Sequence, residues 1–282
     1  MKKFILSKPV FSFFILSVSW SWLFFYLLTL LKIKSSHYIS LSGEKSIIFY
    51  LFFLAAAIGP TLAALILSKI LEGKISNLLN GLTKRTTKRI WYTIVFIPLL
   101  CVLFTRLFFS LFDSPPPINW FGWSSVLFFS FISGFVQELG WRGFAHRKFL
   151  EKSSPLITGI VVGFMWGIWS FAYLYWTAGD FFGKLFGVYF IASTFIPLLS
   201  YSVIISWIYN YTKGSLLLII LFHSSIFFFQ NVFITNGKDA NELVKISFIY
   251  SMITFVLAAI ISLGVKTMWL KNTANSKSFY EE

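Results

Sequence analysis

The sequence predicts an all-α polytopic membrane protein of about eight transmembrane helices, with both ends of the chain on the cytoplasmic side. Three observations predict it. Of the 282 residues, 57% are hydrophobic, 21% aromatic and only 12% charged, with a mean hydropathy of +0.78. A soluble domain carries about 25% charged residues, so this chain lacks the polar side chains to cover a water-facing surface. Apolar runs of about 20 residues, long enough to cross a hydrocarbon core of about 30 Å as a helix, recur along it. The basic residues, finally, crowd into every second connection between those runs.

The first run, about 10–31, follows Lys2, Lys3 and Lys8 and so begins like a secretory leader. It is too long for a leader's apolar region and no small-residue cleavage site follows it, so it reads as a retained span. Further spans are expected at about 46–70, 91–112, 121–140, 156–176, 186–209, 214–232 and 244–268. Lys69, Lys74, Lys84, Arg85, Lys88 and Arg89 fall between spans two and three. Arg147, Lys148 and Lys152 fall between four and five, and Lys271 and Lys277 lie in the tail. The alternate connections are poorer: Lys32, Lys34 and Lys45, then none in DSPPPINW, then Lys184, then Lys238 beside Asp239 and Glu242. The positive-inside rule turns this alternation into an N-in, C-in arrangement. Seven spans would require one run to be re-entrant.

The net charge of +14 would suggest nucleic acid in a soluble protein. Here the cations sit at span ends, where they set topology and meet anionic lipid, so the bilayer is the expected partner and nucleic acid is not. Cys101 is the only cysteine and lies in an apolar run, which rules out an internal disulfide and a cysteine metal site. The chain divides into an N-terminal span with its outer loop (1–45), a helical core (46–232) and a last span with a cytoplasmic tail (233–282). The longest polar connection, about 71–90, reads either as a basic loop or as a short amphipathic helix over ISNLLNGL.

Against this background the ionisable residues within the spans stand out, because each costs about 2.5–3.5 kcal/mol at membrane depth. Glu138 and Arg142 lie four positions apart on one helical face, in the favourable acid-then-base order. They read as a mutually neutralising structural pair or as part of a site. His223 stands inside LLLIILFHSSIFFFQ, either as a packing residue or as a functional one. Arg106, near the outer end of span three, has the stem to snorkel to the interface. The many Phe and Trp residues read as lipid-facing and interfacial.

VQELGWRGF (136–144) resembles the first signature, two glutamates, three residues and an arginine, of the CAAX prenyl protease and bacteriocin-processing (CPBP, or ABI) intramembrane proteases. GFMWGIWSFAY (163–173) resembles that family's aromatic-rich second signature, which usually ends in histidine. TKGSLLLIILFHSS (212–225) resembles the helix carrying a histidine followed four residues later by asparagine or aspartate. GPTLAALIL (59–67) is similar to its second span, and together the matches run in order from about 46 to 231.

The resemblance implies an intramembrane endopeptidase fold with glutamate-based chemistry. In the family the first glutamate and second-signature histidine are thought to hold and activate a water. The late histidine and asparagine are thought to stabilise the oxyanion. A buried carboxylate suits a general base, and preorganised donors suit developing negative charge. On this chain Glu138, Arg142 and His223 match, whereas Gln137, Ser170 and Phe227 stand at the first glutamate, the second-signature histidine and the asparagine.

Each replacement removes something specific. Gln137 has the shape of glutamate but takes no proton near neutral pH, Ser170 is too short to replace an imidazole, and Phe227 is apolar. Gln230 offers an amide at the wrong height on its helix. Glu138 faces about 100° away from position 137 and is paired with Arg142, which argues against its serving as the missing base. No metal or other cofactor is expected: such a site needs several convergent ligands. Of the three histidines, His37 falls in a predicted outer loop and His146 near a predicted cytoplasmic end.

The expectation is therefore a non-proteolytic or weakly active family member in the plasma membrane of a bacterium. It would bind a hydrophobic or prenylated peptide, or a membrane protein, as scaffold, regulator or immunity factor. Whether it is an enzyme stays open. One alternative is an active endopeptidase that processes CaaX-type or bacteriocin-like peptides. The other is an unrelated small-molecule transporter, disfavoured by the lack of predicted broken helices.

Overall fold

The computed structural model describes residues 2–30, 47–84, 88–118 and 123–270, and within them each of the eight apolar stretches read as a span is mostly helical. The expectations placed on Lys32, Lys34, His37, Lys45, Arg85, Lys271 and Lys277 lie outside these residues. A short helix α1 (Lys2–Ser7) leads into α2 (Pro9–Leu30), followed by α3 (Ile47–Ala57), α4 (Gly59–Glu72) and α5 (Ser76–Thr83). A 3₁₀ turn (Arg89–Phe96) runs into α6 (Ile97–Phe109). Then α7 (Trp123–Gly140) continues through a π-helical turn (Trp141–His146) into α8 (Arg147–Leu150). The chain ends with α9 (Pro155–Phe182), α10 (Phe186–Phe190), α11 (Ile196–Tyr211), α12 (Leu216–Phe233) and α13 (Ala240–Gly264).

By length and apolarity, five helical stretches among the described residues suffice to cross a membrane, and six if α3 and α4 count as one bent span. Helix α7 falls outside this set because Gln137, Glu138 and four serines dilute it. The stretch Pro155–Tyr211 is 57 residues long, far more than one crossing needs. It folds back at Gly183, where φ is +49°, and α11 returns along α9. Gly159, Gly163 and Gly167 form the seam: a Cβ at the first two would come within 2.9 Å of the α11 backbone, and one at the third would meet the Phe195 ring at 2.7 Å. Small residues four apart let helices approach closely where hydrophobic burial offers no driving force.

The helices pack in a closed order, α2 on α4, α4 on α7, α7 on α12, α12 on α6, α6 on α13, α13 on α11, α11 on α9, and α9 back on α2. One continuous core runs from Val10 to Met268, while Leu107, Phe128, Phe164, Ile260 and Leu263 point outward as lipid-facing residues. The protein is an all-α polytopic membrane protein in contact with the bilayer.

Hydrogen bonds sort the connections to two ends. At one end Arg147 and Lys148 reach Glu72 at 3.0 and 2.8 Å, Lys84 reaches the Lys213 carbonyl at 3.0 Å, and Tyr211 meets Thr267 at 3.4 Å. At the other, Asn236 reaches the Pro117 carbonyl at 3.5 Å, and Arg106 donates to the Pro116 and Phe233 carbonyls at 2.7 and 2.6 Å. Arg106 is thus a clamp between a connection and the end of α12 rather than a side chain reaching out to water.

Two further readings change. The stretch over ISNLLNGL does form a helix, α5, but its Leu78 is fully buried under Gly143, so it is docked against the bundle. A broken helix is present after all: α3 and α4 meet at 41° around Ile58. Gly59-Pro60 at the start of α4 explains it, since proline cannot donate to the preceding turn. The carbonyls of Ala55 and Ala56 at the break accept instead from Trp20 Nε1 (2.8 Å) and Ser21 Oγ (2.7 Å) of α2.

Candidate functional site

Two close approaches position α7 at the centre of the site. A Cβ on Gly140 would lie 2.4 Å from the carbonyl carbon and oxygen of Pro60, so α4 touches α7 backbone to backbone. Thr61 Oγ1 donates to the Val136 carbonyl across the same contact. On the other side, a Cβ on Gly134 would meet Ser224 Oγ at 2.7 Å and the Ile220 carbonyl at 3.0 Å, which holds α12 against α7. The widened turn Trp141–His146 follows at once, and π turns of this kind are frequent at functional sites.

This packing brings Glu138, Arg142 and His223 together, each with no exposed surface. Glu138 Oε1 accepts from Arg142 Nη1 at 2.9 Å and lies 2.5 Å from His223 Nδ1. A carboxylate can only accept, so His223 presents Nδ1–H to it and keeps an acceptor lone pair on Nε2. Glu138 Oε2, Arg142 Nε and Nη2 and His223 Nε2 make no hydrogen bond to the described residues. One carboxylate with one guanidinium and a neutral imidazole carries no net charge, which makes the burial tolerable.

The indole of Trp166 forms the opposite wall. The Arg142 guanidinium carbon lies 4.6 Å from its ring centre, and the His223 ring lies 4.9 Å away. Trp166 Nε1 also donates to Gln137 Oε1 at 3.3 Å, and Gln137 Nε2 donates to Ser133 Oγ at 2.6 Å. Position 137 therefore reaches the same cluster through Trp166, although it faces away from Glu138. Phe227 packs 5.0 Å from the His223 ring. Ser170 is buried, but its Oγ donates back to the Trp166 carbonyl at 3.0 Å along its own helix.

Several neighbours escaped the sequence reading. Trp141 and Trp166 are fully buried, a correction to the lipid-facing assignment of the tryptophans. The period of the second signature, with Trp166 four residues before Ser170, was the available signal for an inward position. Trp169, next to Ser170, donates to Ser21 Oγ at 2.8 Å and so ties the second signature to the break between α3 and α4. His146, read only as lying near a cytoplasmic end, is fully buried, 2.9 Å from Ser206 Oγ and with its ring 4.5 Å from that of Tyr209 at a tilt of 52°. Gln230 spends its amide on the Ser193 carbonyl at 2.9 Å and does not reach the cluster.

Residues 118–229 match a family model described as type II CAAX prenyl endopeptidase, Rce1-like. A protein of Methanococcus maripaludis named CAAX prenyl protease 2 is 27% identical over 100 residues. The match takes in 35% of this chain and 36% of that relative, about a third of its length. The family match encloses Gln137, Glu138, Arg142, Trp166, Ser170, His223 and Phe227.

Proposed function

We propose that the chain is a relative of the Rce1-like CAAX prenyl endopeptidases, whose family model matches residues 118–229, and that it binds a hydrophobic or prenylated peptide segment within the membrane without cleaving it efficiently. The observation that carries this reading is Gln137. It stands at the family's first glutamate, and its amide is engaged on both sides, accepting from Trp166 and donating to Ser133. An amide has no free lone pair on nitrogen to take a proton, so a water beside it stays unactivated. Ser170, turned into its own helix, supplies no imidazole, and Phe227 adds an apolar ring where a donor would steady an oxyanion. What survives is the Glu138–Arg142–His223 unit, which holds α7 to α12.

On this reading the protein is a scaffold, a regulator or an immunity factor that sequesters a bacteriocin-like peptide. We place it in the plasma membrane of a bacterium, with the Glu72–Arg147–Lys148 end facing the cytoplasm. The positive-inside rule and the Lys- and Phe-rich composition support this placement.

A second reading has one observation in its favour. His223 Nε2 keeps a lone pair while Nδ1 is held by a carboxylate, the arrangement of a base oriented by its partner. An endopeptidase built on that dyad would need neither Gln137 nor Ser170.

One experiment separates them. The full-length protein in lipid nanodiscs is given prenylated CaaX-type peptides and hydrophobic pro-peptides, with binding read by anisotropy and cleavage by mass spectrometry. Saturable binding with no cleavage is expected, together with cleavage in the triple variant Gln137→Glu, Ser170→His, Phe227→Asn. Cleavage by the unaltered chain that disappears in His223→Ala would overturn the non-proteolytic reading in favour of the dyad.

A further inference from the structure

Away from the buried cluster, a cavity of about 200 Å³ opens where α5, the π turn, α11 and the start of α12 converge. Its polar lining is Asn80, Lys84, Arg147 and Tyr209, its floor is Leu78 and Leu216, and no carboxylate lines it. We infer that this cavity is a binding site for the phosphate group of an anionic lipid headgroup.

The side chains are held in place for such a ligand. Lys84 gives one of its three N–H groups to the Lys213 carbonyl at 3.0 Å, while its own carbonyl accepts from Ser215 Oγ at 2.8 Å. Arg147 is braced by the Gly143 carbonyl through Nε and by Glu72 through Nη2, each at 3.0 Å, which leaves Nη1 as a further donor on a fixed plane. A guanidinium, an ammonium and an amide around an apolar floor match a phosphodiester, whose oxygens only accept.

Location points the same way. The cavity lies at the end of the bundle where Lys69, Lys74, Lys88, Arg89 and Lys266 are exposed. Their summed field concentrates anions at the depth of the headgroups. The volume admits a phosphate and its immediate substituents and leaves acyl chains outside, along the helices. Gly143, which lines the cavity, is the residue after Arg142 in the π turn, so an occupant would lie directly behind the buried cluster.

The test uses the full chain delipidated in a neutral detergent. Thermal stability and intact-protein mass spectrometry are recorded with phosphatidylglycerol, phosphatidylcholine or inorganic phosphate, for the unaltered chain, Lys84→Gln and, as a same-end control, Lys69→Gln. Phosphatidylglycerol should remain bound and stabilise, and Lys84→Gln should weaken it roughly fivefold while Lys69→Gln leaves it unchanged. Competition by inorganic phosphate supports phosphate as the recognised group. If phosphate stabilises and the lipid adds nothing, the lipid assignment is wrong. Equal effects of the two lipids, equal losses in the two variants, or no retained lipid would each overturn the site.

Discussion

The chain builds the same constellation twice, a carboxylate between two nitrogen bases, and puts one copy in the dry core and the other at the rim. Glu138 holds Arg142 and His223 with no exposed surface on any of the three. Glu72 holds Arg147 and Lys148, whose side chains remain 23% and 18% exposed. Arg142 and Arg147 are only five residues apart, so one turn of chain separates the two regimes. At the rim water shares the work and the pairs are worth little, typically up to about 1 kcal/mol. In the core each group depends on its partners, and removing one strands the others. The same kind of ion pairing therefore neutralises a buried cluster in one place and only braces half-exposed side chains in the other.

The largest test of this contrast is Arg142→Leu. It leaves Glu138 buried without a cation and should cost about 3–5 kcal/mol, read as lost resistance to denaturant in mixed micelles. Adding Glu138→Gln to the same chain should recover most of that loss. A cost of under 1 kcal/mol for the single variant would mean that water reaches the cluster and that core and rim do not differ.

A middle-sized test asks what keeps the cluster dry. Gly140→Ala pushes a methyl group into the Pro60 backbone and should cost about 1–3 kcal/mol. Gly187→Ala, which meets nothing within 4 Å, should change stability by no more than about 0.5 kcal/mol. The smallest effect is expected from Glu72→Gln, under about 1 kcal/mol and fading as salt is added. If Glu72→Gln matched Arg142→Leu, burial would not be the variable that separates the two triads.

Much of this contrast was legible in residues 136–144 alone, because a charged pair four apart in an apolar run has few places to go. The helices were legible for the same reason: apolar length is a local property. What was hidden is what depends on partners distant in sequence. Nothing in LFHSS announces that His223 lies against Glu138, 85 residues away. Arg106 looked like a snorkelling residue because its two carbonyl partners, one in a loop and one at the end of α12, are 10 and 127 positions away. His146 looked peripheral by its place near the end of a span, yet the π turn rotates it inward onto Ser206. The bend at Ile58 was masked because Gly59-Pro60 sits within an uninterrupted apolar run, where hydropathy carries no trace of backbone geometry.

That bend has a consequence for how the protein is made. In hydrocarbon an unsatisfied carbonyl costs several kcal/mol, so α3 and α4 cannot rest at their observed angle beside lipid alone. The groups that relieve the break, Trp20 and Ser21, belong to a helix synthesised earlier. Helix α2 is therefore already made when the carbonyls that need it emerge. Trp169, which completes the link through Ser21, arrives more than 100 residues later, so the order of synthesis assembles this corner of the protein in three stages.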